Sequence, residues 1–573
     1  MSDIIEQDIT LPRTTLIQVT LDELYENPIN LNTASYDEIL KIPYLTPILA
    51  QSIFEYAYKK GFSSKFDLLR IRGIDAELFD KIRPLVIVKS DTVKPKIKYQ
   101  LTSRFSIDTL NNLMNIYLWN ITNKIKLSFL SKDNELKLIV LTDKDDKENK
   151  ITDFLSVSAS IKAKNNRLVL GNYLLNFGAG LIFTGPFSYL NSTKNFSLDP
   201  LKSINENTGI YENISLFGAV VSHSVSNFAV HLLMSSSSLD AAVENNTVKR
   251  IYYYTNYTDS LSKARRDQLR ENLIGLRISY SPMKIGQDII IGTTFYHNQY
   301  DKNFTPTDSQ NSFYGSNLSL LGFDIQSRLG SYFFNSEIGY SITHGFGGAM
   351  HIIGDWQFFK VNFNVYSQQK NFFSPHSKWR ELTNRKDKIN STFNIFYNIS
   401  GFKMYLLAST KQDFSTDSLP ARIRYQIERK QGLFNIRLSL KGNYQEAVLH
   451  TYGTRFDVSY QLITNVELIT NIEDNYLKNE QKSGRLVSLG IRGRSNIVTT
   501  ELHFYYFNIN SSECRIYYFE PDRNSYTFNN KGIRLFCYLD CKIRNRLRVN
   551  YYIGYTKINT SNIDTGLRIS LEL

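Results

Sequence analysis

The feature that most constrains this chain is a two-residue alternation of apolar and polar side chains, which recurs from residue 99 to the C-terminus. Residues 359–365, 547–556 and 567–573 all follow it. A period of two is typical of β-strands whose two faces meet different surroundings. No helical periodicity interrupts the pattern, so the sequence predicts one very large antiparallel β-structure.

The length and chemistry of this region favour a membrane barrel over a soluble β-sandwich. A sandwich is normally about 100–250 residues long and buries its apolar face. Here strands of about ten residues repeat, many end in Tyr or Phe, and the polar positions are rich in Arg, Lys, Asn and Ser, as in outer-membrane barrels. Short turns such as 542–546 contrast with long polar stretches such as 188–213 and 244–265. At about 20–25 residues per strand and connection, we expect on the order of 20 transmembrane strands.

The first 88 residues have a different character. Residues 1–26 form a leader without the basic and apolar regions of a secretory signal. Residues 27–88 predict four short helices that begin near residues 33, 46, 64 and 76, the first of them capped at Asn32-Thr33. Residues 89–98 are predicted to be a linker, and residues 99–573 the barrel.

The helical segment carries a family resemblance. Residues 28–35, 42–43, 61–62, 66–69 and 73–74 resemble the tandem helix-hairpin-helix module of the ComEA type. The resemblance implies DNA binding without sequence preference, in which hairpin N–H groups and an adjoining helix N-terminus approach phosphates. The candidate hairpin contacts, to DNA or to protein, are Pro43, Tyr44, Leu45, Thr46, Arg72, Gly73, Ile74 and Asp75.

Both hairpins depart from that pattern. Tyr44 and Thr46 stand where the first hairpin would have glycines, and Asp75 replaces the second glycine of the second hairpin. Residues 1–89 carry ten basic and thirteen acidic residues, whereas a nucleic-acid module usually has a basic excess. We therefore expect a docking or plug domain that kept the fold, with DNA binding as the alternative.

A second resemblance spans the whole chain. Residues 171–173, 177–181, Arg270-Glu271 with Gly275, and 516–520, together with the pairing of the two domains, resemble an outer-membrane barrel family of Bacteroidota. The resemblance implies an outer-membrane location and no particular activity.

Motifs that could carry chemistry are few. Residues 177–180 lack the spacing of a nucleotide-binding loop and fall in a predicted strand, so their glycines are expected to permit curvature or close packing. Arg270-Glu271 is interpreted as a lumenal ion pair or hydrogen-bonded network rather than a catalytic pair. The eight histidines lack metal-ligand spacing, and a disulfide between Cys514 and either Cys537 or Cys541 stays open.

The sequence thus predicts a small all-α helix-hairpin-helix domain followed by a large antiparallel transmembrane β-barrel. We expect an outer-membrane location with the helical domain in the periplasm, where it docks a partner or occludes the pore, possibly in transport. Outer-membrane lipid and an envelope protein are the expected partners, and no catalytic residue, cofactor or metal is expected. The alternatives are a DNA-binding or DNA-uptake protein and an outer-membrane enzyme.

Overall fold

The computed structural model describes most of the barrel and nearly all of the helical segment. Most of the predicted leader (residues 1–23 and 25–27) and residues 89–95 of the predicted linker lie outside the described residues. The described residues are 24, 28–34, 36–42, 44–88, 96–107, 119–130, 134–144, 152, 154–184, 203–210, 212–253, 260–282, 287–305, 313–342, 345–356, 358–377, 388–413, 420–445, 448–478, 482–495, 497–521, 524–543, 547–558 and 561–572.

Residues 28–88 form a compact unit, here called the helical module. Its described α-helices are α1 (Tyr36–Leu40), α2 (Pro47–Lys59) and α3 (Ala76–Ile82), and 3-10 helices span Lys65–Arg70 and Arg83–Leu85. The parallel pair of β1 (Ile29–Asn30) and β2 (Val86–Ile87) joins its two ends. Its buried apolar core includes Leu31, Ile39, Leu45, Ile53, Leu68, Ile82 and Leu85.

The helix ends follow local chemistry with two corrections to the prediction. Thr46 begins α2, since its hydroxyl accepts a hydrogen bond from the Leu49 N–H at 3.2 Å. The third predicted helix is a 3-10 helix. The first helix begins at Tyr36 rather than near residue 33. The Asn32 side chain donates to the Phe62 carbonyl (2.9 Å) and accepts from the Phe62 N–H (2.7 Å), which ties the first turn of the module to the end of α2.

None of the described helices is both long and apolar enough to cross a membrane.

The remaining described residues are almost entirely β-structure. The strands of the first half are β3 (Lys96–Ile107), β4 (Asn120–Leu130), β5 (Asn134–Lys144), β6 (Phe154–Ala163), β7 (Asn166–Asn176), β8 (Ser203–Glu206), β9 (Leu216–Val225), β10 (Phe228–Glu244), β11 (Thr247–Tyr252), β12 (Leu269–Tyr280), β13 (Gln287–Phe304), β14 (Gly315–Leu329), β15 (Tyr332–Ser341) and β16 (Gly345–Asp355), and a short helix α4 (Ser260–Ala264) lies between β11 and β12. The strands of the second half are β17 (Phe359–Gln368), β18 (Lys388–Ile399), β19 (Phe402–Asp413), β20 (Ala421–Gln431), β21 (Phe434–Gln445), β22 (Val448–Ile463), β23 (Val466–Leu477), β24 (Lys482–Arg494), β25 (Val498–Ile509), β26 (Ile516–Glu520), β27 (Asn524–Phe528), β28 (Asn530–Ile543), β29 (Leu547–Lys557) and β30 (Ser561–Glu572).

The strands close into a single barrel. Through the described residues, antiparallel neighbours form a ring of 24 strands, namely β3–β7, β9, β10, β12–β25 and β28–β30. The ring closes where β30 pairs with β3, while β8 and β11 attach to it as extra strands. The predicted fold class, a small helical domain followed by a large antiparallel barrel, is confirmed. The first strand begins at Lys96, inside the segment predicted as a linker.

The two ends of the barrel differ in the length of their connections. Residues 330–331, 432–433 and 464–465 are two-residue turns at one end, here called the short-turn end. The opposite end has connections as long as 177–215 and 510–529. Lys96 pairs with Leu130 beside a short turn, so the chain enters the barrel from the helical module at the short-turn end.

The two faces of the barrel wall also differ. On β14, Phe323 is 51% exposed on the outer face, whereas its neighbour Asp324 is 2% exposed on the lumenal face. The same alternation recurs round the ring, as expected for strands between an apolar and a polar environment. At the short-turn end, outward aromatic side chains form a row of successive ring contacts. The ring centroids are 5.3 Å apart for Tyr332 and Trp356, 5.7 Å for Trp356 and Phe359, and 6.3 Å for Phe359 and Tyr397.

The lumen is filled on one side by a segment that leaves the wall. The pairing of β7 with β6 ends at Gly171, and the five residues that follow are all buried. Gly171 has a φ of +86°, and a Cβ there would overlap the backbone carbonyl of Val157, so only glycine fits. We call residues 172–184 and 203–210 the inward segment. Its apolar side chains, among them Leu175, Phe177, Leu181, Ile182, Phe183 and Ile204, join a buried cluster with lumenal residues of the wall.

A second intrusion fills the opposite part of the lumen. Strands β26 and β27 pair only with each other and form a hairpin that is separate from the barrel sheet. Its Ile516, Tyr518 and Phe528 pack in one buried cluster with lumenal residues such as Tyr505 and Phe536. Both intrusions arise from the end with long connections.

Candidate functional site

The first predicted hairpin joins α1 to α2 and turns toward the barrel. Pro43 lies outside the described residues. Tyr44 has a φ of +76°, so a bulky side chain holds the left-handed backbone that glycine adopts without strain. Lys81 of α3 lies over the Tyr44 ring at 5.6 Å from its centroid, and Leu45 is buried in the module core.

Thr46 connects this hairpin to the barrel wall. Besides beginning α2, its hydroxyl donates a hydrogen bond of 2.5 Å to Oδ2 of Asp355, the last residue of β16. The ammonium of Lys360 pairs with the same carboxylate at 3.3 Å. A protein carboxylate thus stands beside the N-terminus of α2, in the place where a helix-hairpin-helix module would bring phosphate.

Two further contacts hold the helical module to the barrel. Glu55 of α2 pairs with Arg328, a largely buried lumenal side chain at the end of β14, at 3.1 Å. Lys41 donates to the side-chain oxygen of Asn205 in β8 at 3.2 Å. Arg328 and Asp355 both lie next to short turns, so the module rests on the lumenal rim of the short-turn end.

The contacts of Glu55 change the pKa of its carboxyl group. Burial acts to raise the pKa of the Glu55 carboxyl. Hydrogen bonds from Gln51, Arg328 and Lys59 outweigh burial and lower that pKa below its ordinary value. The charged carboxylate is therefore stabilised by Gln51 and Lys59 of α2 together with Arg328 of the barrel wall.

The second predicted hairpin joins the 3-10 helix Lys65–Arg70 to α3. Arg72 and Gly73 are exposed, Ile74 is buried, and Gly73 has a φ of +97°. Asp75 begins α3, since its carboxylate accepts from the Leu78 N–H at 2.8 Å. This acid fills the helix N-terminus that phosphate would otherwise occupy, so both hairpins present a carboxylate at that position.

The net charge of the helical module differs from that of the N-terminal region as a whole. Residues 28–88 contain eight basic and seven acidic residues, so the acidic excess expected to oppose DNA comes from residues 1–27. Three of the seven acidic residues of the module have partners: Glu55 binds the barrel, Asp67 forms a capping box with Ser64, and Asp75 caps α3. The net charge of the module therefore argues less strongly against DNA binding than predicted. The stronger argument is that carboxylates already occupy the N-termini of α2 and α3.

The glycine-rich motif at residues 177–180 is the part of the inward segment that binds the wall. It was predicted to lie in a strand, but it forms a turn in which Gly178 and Gly180 have φ values of +55° and +84°. The Glu337 carboxylate on β15 accepts three backbone N–H groups, from Ala179 (2.9 Å), Leu181 (2.8 Å) and Ile182 (3.2 Å). Successive N–H groups in such a turn form a cradle for an anion.

The same turn is held by its carbonyl groups. Asn335, two residues before Glu337 on the same lumenal face, donates to the Gly178 carbonyl at 2.9 Å. Ser374 donates to the Leu181 carbonyl at 2.8 Å. Side chains of the wall therefore pair with N–H groups and with carbonyl groups of the turn, as buried backbone polar groups require.

The Arg270-Glu271 motif separates onto two faces because adjacent strand residues point in opposite directions. Arg270 is exposed and donates to Ser236, whereas Glu271 is buried in the lumen. Glu271 accepts from Asn298 at 2.7 Å and lies 3.2 Å from the His376 Nε2. The predicted hydrogen-bonded network is present at Glu271, but the two motif residues do not pair with each other.

The third motif, residues 516–520, ends in a buried charge cluster. Arg534 on β28 is fully buried and donates to both oxygens of Glu520 at 2.7 Å. It also donates to both oxygens of Asp564 on β30, at 2.7 and 3.1 Å. Glu520 is the last residue of β26, so this cluster anchors the hairpin of β26 and β27 to the wall.

Cys514, Cys537 and Cys541 are all free thiols, so the open disulfide prediction is wrong. No group of three or more His, Cys, Asp or Glu side chains is placed to hold a metal ion within the part of the chain that the structure describes.

Thr46 is among the predicted hairpin contacts, but the barrel residues that dock the helical module were missed by sequence reasoning. Arg328 and Asp355 read as ordinary polar positions of an alternating strand, and Thr46 and Asp355 are 309 positions apart. One signal was available for the inward segment, since two closely spaced glycines after a strand indicate left-handed turns rather than a continuing strand.

Residues 25–87 match the protein-family model described as "Helix-hairpin-helix motif". The helical module is a helix-hairpin-helix domain. No curated protein matches the chain by sequence.

Several solved structures resemble the barrel. The P pilus usher (PapC) translocation pore has a TM-score of 0.39 and 8% identity over 83% of this chain and 99% of that chain. The siderophore receptor PirA from Pseudomonas aeruginosa gives 0.37 and 8%, over 85% of this chain and 82% of that chain. The copper transporter OprC gives 0.41 and 6%, over 84% and 80%. Because these scores are low, the fold assignment rests on the strand pairings, and no function is transferred.

Proposed function

We propose that this protein is an outer-membrane β-barrel with a transport-related role, whose helical module sits at the periplasmic mouth, occludes the pore and docks an envelope partner. The outer face carries exposed Leu, Ile and Phe side chains round the ring. Soluble proteins rarely expose so continuous an apolar surface, which suits lipid instead. The outward aromatic row at the short-turn end suits a membrane interface.

The observation that carries the proposal is the seating of the helical module. Thr46 binds Asp355, and Glu55 binds Arg328, both at the lumenal rim of the short-turn end. Short turns face the periplasm in bacterial outer-membrane barrels. A domain held on that rim stands between the lumen and the periplasm, where it can restrict passage and meet periplasmic proteins.

Location is tested by fractionation and protease treatment of cells that express the full chain. We expect the protein in the outer membrane and the helical module cleaved by trypsin only after the outer membrane is permeabilised. Recovery in the soluble fraction, or cleavage of the module in intact cells, would contradict the proposal.

Partner docking is tested by pull-down from the native envelope with the full chain. Phe66, 65% exposed on the helical module, is a suitable site for a disruptive substitution. We expect a retained envelope protein to be lost with Phe66→Ser and kept with Tyr314→Ser, which alters an exposed aromatic residue at the opposite end of the barrel. Equal recovery of the envelope protein with both variants would show that Phe66 of the helical module does not take part in partner binding.

DNA binding is the second candidate. The left-handed backbone retained at Tyr44 and Gly73 favours it, because the hairpin shape persists. The carboxylates of Asp355 and Asp75 oppose it. We expect the full chain in detergent not to bind duplex DNA at physiological salt. Tight binding that weakens steeply with added salt would favour a DNA-binding function instead. The ComEA-type and Bacteroidota resemblances stay predictions.

A further inference from the structure

The inward segment runs along the inner face of the wall from β7 to β15, which is a quarter of the ring. The Phe177 ring stacks on His231 of β10 at 5.6 Å and lies 4.7 Å from the Arg277 guanidinium of β12. The Phe183 ring lies 4.8 Å from Tyr296 of β13. The segment leaves the wall at β7 and is bound by Glu337 on β15, which lies six strands further round the ring. At about 4.8 Å per strand, these positions are about 29 Å apart along the circumference. A segment that covers the inner face of these strands narrows the lumen.

The contact at its far side is a specific latch. Glu337 is almost fully buried and receives three backbone N–H groups of the turn at 177–182. Gly178 lies directly against it, since a Cβ at this residue would be 2.7 Å from Oε2 of Glu337. Glu337 and Gly178 thus form the closest contact of the turn with β15, beside the hydrogen bonds that Asn335 and Ser374 donate to its carbonyl groups.

The near side of the segment touches the helical module. Strand β8 pairs with residues 173–176 of β7, so both belong to the inward segment. Glu206 of β8 is held by Arg167 at 2.9 Å and by the hydroxyl of Ser160. The adjacent Asn205 accepts the hydrogen bond from Lys41 of the module at 3.2 Å. The inward segment thus binds the helical module through Asn205 and the wall at β15 through its turn.

We propose that the inward segment is a gate, latched closed on Glu337 and tied to the helical module through Lys41 and Asn205. A periplasmic partner that draws the module off the rim removes this tie and favours release of the latch. The inference rests on the proposed function and adds to it the moving part, its latch and its trigger.

Single-channel conductance of the full-length chain in planar lipid bilayers tests the gate. Glu337→Gln replaces an acceptor oxygen with an amide that faces N–H donors, and Gly178→Ala displaces the turn without altering the wall. We expect wild type to be closed most of the time and each variant to raise the open probability by about tenfold or more, because hydrogen bonds between Glu337 and the turn are lost. Lys41→Ala should raise it by a smaller factor.

The matched control is Glu428→Gln, which changes another lumenal carboxylate, on β20, whose partner is Arg437 at 3.6 Å. We expect its open probability to equal that of wild type. Wild-type gating in both Glu337→Gln and Gly178→Ala would overturn the gate, as would an equal increase in the control. Wild-type gating in Lys41→Ala would overturn the tie.

Two outcomes separate this inference from the proposed function. Each variant is first checked for an intact barrel by its heat-dependent migration on gels. If Glu337→Gln fails to fold, Gly178→Ala decides; if neither folds, Glu337 is a structural residue and the gate is wrong. Failure of the wild-type chain to insert into bilayers would count against the proposed function instead.

Discussion

The hairpin of β26 and β27 should lose its place in the lumen when Arg534 is replaced by alanine. Arg534 is 0% exposed and joins Glu520 of the hairpin to Asp564 of the wall through four hydrogen bonds of 2.7–3.1 Å. Alanine would leave two buried carboxylates without their cation. Removing one partner of a buried ion pair typically costs about 3–5 kcal/mol, because the remaining charge is uncompensated.

Amide hydrogen exchange measured by mass spectrometry reports directly on the loss of this anchoring. Since about 1.4 kcal/mol corresponds to a factor of ten in an equilibrium constant, exchange in 516–520 and 524–528 should accelerate by about two to four orders of magnitude. Arg534→Lys keeps the positive charge but cannot form two bidentate pairs, so it should lie between wild type and alanine. Strands on the far side of the ring, such as β14, should exchange as in wild type.

A matched control separates this effect from the general loss of a lumenal ion pair. Arg548 of β29 donates to both oxygens of Asp540 of β28 at 2.9 and 2.8 Å, and both residues belong to the barrel wall. Arg548→Ala should therefore leave the exchange of the hairpin unchanged. Hairpin exchange that is the same in Arg534→Ala as in wild type would refute the anchoring role of Arg534.

Three further predictions concern the helical module and the start of the inward segment. Asp75→Ala removes the cap of α3 and should destabilise that helix by about 1 kcal/mol, seen as faster amide exchange in 76–82. Because the pKa of Glu55 is lowered in the folded protein, its contribution to docking is complete above pH 4.5 and is lost as pH falls through the folded value. A fluorophore on the exposed end of α2 should therefore gain mobility in acid, and Glu55→Gln should abolish that pH dependence. Gly171→Ala should cost at least about 2 kcal/mol in urea unfolding, since the left-handed backbone alone costs about 1–2 kcal/mol, while Gly348→Ala, which has open space around its Cβ, should change little.

The fold class could be predicted because strand alternation is a local signal that repeats many times. Residues 359–365 alternate, and β17 spans Phe359–Gln368. The helix α2 was also predictable, because Thr46-Pro47 is a strong local start signal and Gly61, with a φ of +71°, stops it. The 3-10 geometry of Lys65–Arg70 was missed because the residue pattern of one or two turns does not separate it from an α-helix.

The candidate site was harder to predict because its contacts join distant positions. Glu337 looks like any lumenal carboxylate of an alternating strand, and the groups that it accepts from are backbone N–H groups, which leave no trace in residue type. The turn at Phe177 was placed in a strand because it continues an apolar run, although Gly178 and Gly180 mark its reversal. Contacts of this kind depend on the closure of the whole ring, which no short window of sequence contains.

The buried charges of the lumen are explained by the need to hold long intrusions in one place. A ring of 24 strands leaves a wide interior, and apolar packing alone could seat the inward segment and the hairpin in many registers. Glu337 and Arg534 each offer one geometry, because their partners must meet several hydrogen bonds at once. Burying charges in this way adds little net stability compared with apolar contacts. Glu337 and Arg534 therefore fix where the two intrusions sit in the lumen more than they stabilise the barrel.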